Sequence, residues 1–122
     1  MPDIDVLAVV GAALVAFVLS GAWYTVLGPA TDDESPPWTY PVELLRNVVV
    51  ATVVAGLVAE TATSSWTGGL WLGLALWVGL PLVLWVGAVV HERTPVRLAA
   101  LHAGDWLLKL PAVAVLTSVW QG

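Results

Sequence analysis

Apolar residues run along this chain in four long blocks, and most of the polar residues fall between them. The blocks cover residues 4–27, 42–63, 70–90 and 96–120. A helix needs about 20 apolar residues to cross roughly 30 Å of hydrocarbon, and each block supplies them. The first carries no charge beyond Asp5 at its edge, and the third carries none. The second holds Glu43, Arg46 and Glu60 near its ends, and the fourth is interrupted by His102, Asp105 and Lys109. The pattern predicts an all-α integral membrane protein. We expect a four-helix transmembrane bundle of up-down topology, with residues 1–122 as a single membrane domain.

The connections agree. Residues 28–41 read as an acidic loop built on Asp32, Asp33, Glu34, Pro36 and Pro37, and Pro41 suits the first turn of the second helix. Residues 61–69 form a Ser/Thr/Gly turn, and residues 91–95 end in a proline just before the fourth helix. Links this short force neighbouring helices to run antiparallel. Trp23, Tyr24, Trp38, Tyr40, Trp66 and Trp120 fall near span ends, where an amphipathic ring prefers the membrane interface. Pro81 and Pro111 lie inside the third and fourth spans, where each removes a backbone hydrogen bond and is predicted to bend its helix.

Composition narrows the class. With 4 Lys+Arg and 9 Asp+Glu in 122 residues, the chain cannot solvate a globular surface. The net charge of −5 argues against a nucleic-acid partner and leaves no basic patch for anionic lipid. The absence of cysteine excludes thiolate nucleophiles and Cys-ligated metal sites. The first apolar run follows Asp3 and Asp5 instead of a basic segment, and no A-x-A site follows it. It is expected to be retained as a span and not cleaved.

Orientation comes from arginine. Arg46, Arg93 and Arg97 lie at the ends joined by the first and third loops, and the opposite ends have no Lys or Arg. The positive-inside rule then predicts loops 1 and 3 in the cytoplasm and both termini outside a cell membrane.

The fourth span carries the candidate chemistry. At about 100° per residue, His102, Asp105 and Lys109 share an arc of roughly 60°, and Lys109 lies near the bilayer midplane. A charge there costs about 2.5–3.5 kcal/mol on insertion scales, so the stripe should face the bundle interior. Glu43, Arg46 and Glu60 share a face of the parallel second helix. The expected arrangement is an alternating seam, Arg46–Asp105–Lys109–Glu60, with His102 and Asn47 beside its inner end. Asp105 and Lys109 are also an i,i+4 pair, able to neutralise each other as a purely structural element.

Small residues recur, including Gly69-x-x-x-Gly73, with ordinary packing between helices of one chain as the first reading and a dimer face as the alternative. Asp-x-x-x-Lys on a membrane helix is similar to the Schiff-base helix of microbial rhodopsins, but those have seven helices. His91 and His102 match no haem or metal motif, and the first helix lacks the internal glutamate of small multidrug exporters. No nucleophile–base set and no phosphate loop appear, so neither an enzyme nor a cofactor is expected. The leading reading is a structural or accessory membrane protein whose partners are the bilayer and a second copy or a larger membrane protein. The alternative is a minimal oligomeric transporter or channel that uses Arg46, Glu60, His102, Asp105 and Lys109 as an ion or proton path.

The order of features resembles the membrane family called domain of unknown function 1761. The resemblance rests on Gly21-Ala22-Trp23-Tyr24 closing helix 1 and on Gly69-x-x-x-Gly73-x-x-x-Trp77-Val78-Gly79 opening helix 3. It continues through Arg97-Leu98, Ala103-Gly104 and a final Trp120. The acidic first loop and Lys109 depart from the family pattern. The resemblance implies a four-helix membrane protein and brings no activity or catalytic residue with it.

Overall fold

The computed structural model describes residues 4–27 and 38–121. The acidic stretch 28–37 within the first loop lies outside them. Among the described residues, four helices are long and apolar enough to cross a membrane: α1 (Val6–Leu27), α2 (Thr39–Glu60), α3 (Trp66–His91) and α4 (Val96–Gln121). The protein is a multi-pass, all-helical membrane protein.

Local chemistry sets the helix ends. Asp5 accepts hydrogen bonds from the backbone N–H groups of Leu7 and Ala8 and so caps α1. The second span ends at Glu60, short of the expected Thr63. Ala62 adopts a left-handed φ of 53°, and the Thr63 N–H folds back onto the Val58 carbonyl at 3.0 Å. This is the Schellman closure of a helix C-terminus. The third span begins at Trp66, earlier than expected, because the Ser65 hydroxyl accepts the Gly68 N–H at 3.1 Å. Within α3, Pro81 sits in a π-helical turn, Val78–Leu82, where the missing N–H interrupts the ordinary ladder. Pro111 lies inside α4, which stays α-helical through it.

The hub is α4, which packs against all three other helices. α1 packs on both α2 and α4, whereas α3 packs on α4 and makes no extensive contact with α2. The core is rich in alanine: Ala12, Ala13 and Ala16 of α1, Ala51 and Ala55 of α2 and Ala114 of α4, filled in by Val54, Leu110 and Val113. Larger residues such as Leu7, Val18, Val26, Leu45, Trp71 and Leu84 point outward. That distribution suits lipid. Acyl chains are as apolar as leucine, so helices associate through close contact and not through hydrophobic exclusion.

Gly69 and Gly73 supply the closest approach. A Cβ on Gly69 would lie 2.7 Å from the Ala114 carbonyl and the Ser118 hydroxyl, and one on Gly73 would collide with the backbone of Pro111. The G-x-x-x-G pair thus serves the α3–α4 contact within one chain.

Candidate functional site

Polar groups gather in the half of the bundle nearer the first and third connections. The late turns of α1 bring Tyr24, the early turns of α2 bring Glu43 and Arg46, and α4 brings His102, Asp105 and Lys109. Together they line a cavity of about 570 Å³. Lys109 lies at its inner end, about 20 Å along α4 from Val96 at 1.5 Å per residue. Beyond it the first layer of the core is alanine, valine and leucine, with Thr117 and Ser118 buried further along α4.

Lys109 and Asp105 are 2% and 3% exposed, and their charged atoms are 3.0 Å apart. The Lys109 ammonium also lies 3.8 Å from Glu43 and 4.4 Å from the centre of the Trp106 ring. One buried cation therefore meets two carboxylates and a ring face. Arg46 sits nearer the surface and pairs with Glu43 at 2.9 Å. The result is a chain of charges, Arg46–Glu43–Lys109–Asp105, with two of each sign.

This order corrects the expected seam. Arg46 pairs with Glu43 on its own helix instead of with Asp105, and Lys109 reaches Glu43 instead of Glu60. Side chains on a helix lean toward its N-terminus, so Lys109 is directed back over Asp105 toward the early turns of α2. Glu60 lies about 25 Å further along α2 than Glu43, at the other end of the bundle. It is exposed and lines none of this cavity. Asn47 is buried but faces the packed side of α2, not the cavity.

His102 is where the stripe predicted, although its partners could not be read from the pattern. Its Nδ1 is hydrogen-bonded to the Tyr24 hydroxyl at 2.6 Å, and its ring stacks on Trp85 with centroids 4.8 Å apart. Tyr24, Trp85 and Trp106 were missed as site residues. Tyr24 did carry a signal, because it lies near the first loop as His102 lies near the third, at the same end of the bundle.

Two indoles grip the backbone of α4 around this site. Trp23 donates to the Leu101 carbonyl at 2.9 Å, and Trp77 donates to the Ala103 carbonyl at 2.8 Å. The Trp23 ring lies over Gly104, where a Cβ would collide with it. At the far end, Trp120 packs on Gly11, and Gln121 donates to the Ala55 carbonyl while accepting the Asp5 N–H.

One carboxylate oxygen of the cluster is left without a partner. Asp105 Oδ1 is buried and has no hydrogen-bond partner, while Oδ2 faces Lys109. Among the described residues, no group of three His, Cys, Asp or Glu side chains is placed to hold a metal ion.

Fold and site together define a small four-span membrane protein with a charged cavity in one half. The chain belongs to the family described as protein of unknown function (DUF1761), whose profile matches residues 7–118. Comparisons with curated proteins and with solved structures find no match. Several of the residues behind the family resemblance fall at helix contacts. Trp23 meets Gly104, Tyr24 meets His102, Gly69 and Gly73 meet α4, Trp77 meets Ala103, and Trp120 meets Gly11.

Proposed function

We propose that this is a non-enzymatic accessory protein of the cell membrane, in which the buried charges hold α2 to α4 around a one-sided polar cavity. The observation that carries the reading is the position of Lys109. It is held by Asp105 and Glu43 at the inner end of the cavity, against a layer of Ala13, Ala16, Ala51, Val54 and Val113. A through-path would have to cross that apolar layer, beyond which lie the buried hydroxyls of Thr117, bonded to the Val113 carbonyl of its own helix, and Ser118. The arginine bias puts the cavity and loops 1 and 3 on the cytoplasmic side, with both termini outside.

A minimal transporter is the second reading. It is favoured by the reach of the cavity to Lys109 and by the unpartnered oxygen of Asp105. Proteoliposomes carrying a pH-sensitive dye separate the two. Under the accessory reading, proton and potassium flux matches that of empty vesicles. Flux above that level, abolished by Lys109→Met in a protein that still folds, would establish transport instead. A second copy or a larger membrane protein is the expected partner under either reading, and cross-linking in native membranes tests it.

A further inference from the structure

The charged cavity has an apolar neighbour. Because α3 makes no extensive contact with α2, a cleft of about 680 Å³ opens between them, floored by Trp106 and Leu110 of α4. Its walls are Val49, Val50, Val53 and Leu57 on α2, facing Leu80, Pro81 and Leu84 on α3. Only its mouth is charged, with Arg46 on one wall and Glu92 on the other.

We propose that this cleft holds one acyl chain of a zwitterionic phospholipid, with its phosphate at Arg46 and its ammonium at Glu92. Three observations select this occupant. The first is depth. Arg46 to Leu57 spans about 16 Å of helix at 1.5 Å per residue, and one leaflet is about half of the roughly 30 Å hydrocarbon core. The second is volume. At about 30 Å³ per heavy atom, the share of a liquid water molecule, the cleft takes roughly twenty carbons. A partner helix about 10 Å wide sweeps roughly 400 Å³ per turn, so less than two turns would fit.

The third is charge. A side chain of Arg46 that is 60% exposed keeps donors beyond its bond to Glu43, and a guanidinium fork matches phosphate. Glu92 opposite it makes the mouth unfit for a purely anionic headgroup and suited to one that carries an amine. The π-turn at Val78–Leu82 belongs to the same wall, since Leu80 and Pro81 both line the cleft. Such turns concentrate where helices shape binding sites. This inference shares Arg46 with the charged cluster but does not rest on the accessory reading, since the cleft and its apolar walls stand whichever role the Lys109 pair plays.

Native mass spectrometry of the full chain, released from detergent with defined lipids, tests it. The parent should retain one phosphatidylethanolamine in preference to phosphatidylglycerol, and diacylglycerol, which has no phosphate, should be lost. Val53→Trp and Val49→Trp, at positions that are exposed and so spare the fold, should each plug the cleft and abolish retention. Val10→Trp, on the lipid face of α1, should leave retention unchanged. Arg46→Gln should weaken it about tenfold, the order expected for one charge-assisted hydrogen bond.

Undiminished lipid retention in both tryptophan plugs would overturn the proposal. So would plugs that change the oligomeric state but not lipid occupancy, which would make the cleft a protein interface. Tighter retention of phosphatidylglycerol than of phosphatidylethanolamine would overturn the headgroup assignment.

Discussion

Lys109 and Asp105 stand one helical turn apart on α4, 3.0 Å between charged atoms, and both are sealed from the surface. Breaking such a pair strands a charge, while removing both partners leaves no buried charge on α4. Lys109→Met should therefore be the costlier single change, because it leaves Asp105 and Glu43 facing each other, with a loss of about 3–5 kcal/mol. Asp105→Asn should cost less, since Glu43 still faces the ammonium. The double variant should recover much of the Lys109→Met loss. Thermal unfolding in detergent reads all three, and single variants as stable as the parent would refute a structural role for the pair.

The contact between α3 and α4 depends on the absence of side chains at two positions. Gly73→Leu and Gly69→Leu each push a side chain into α4 backbone, and overpacking of this kind costs about 1–3 kcal/mol or more. Gly79 meets nothing within 4 Å, so Gly79→Leu should be close to neutral. Equal stability of the three variants in a detergent melt would show that α3 does not dock as described.

Trp23 and Gly104 should be energetically coupled. Gly104→Ala displaces the outer ring of the indole and strains its hydrogen bond to Leu101. Phenylalanine does not reach as far, so the alanine substitution should cost less in a Trp23→Phe background. A coupling energy of about 0.5–3 kcal/mol is the range for residues in contact. Additive effects in this cycle would mean that the two residues do not touch.

Sidedness is directly measurable because the chain has no cysteine of its own. His91→Cys, at the end of α3 beside the third connection, should react with a membrane-impermeant maleimide only after the cytoplasmic face is opened. Ser64→Cys in the second connection should react in intact cells. Both positions are exposed. The reverse pattern would invert the proposed topology.

Hydropathy alone determined that four helices span a membrane and roughly where each begins and ends. In lipid a segment must satisfy its own backbone groups, so an apolar run long enough to cross becomes a helix. The sequence also determined that His102, Asp105 and Lys109 share one inward face, because the helical repeat and the cost of exposing charge to lipid require it. It did not determine their partners.

Only the tertiary structure decided that Lys109 turns back to Glu43, leaving Glu60 at the far end, that Trp23 and Trp77 grip α4, and that α2 and α3 stand apart. In a soluble protein the apolar stripe of a helix shows which side faces the core. Here core and solvent are equally apolar, so periodicity carries no such label. Facing is set instead by where small residues such as Gly69, Gly73 and Gly104 let backbones and rings approach, and that depends on the relative heights and rotations of whole helices.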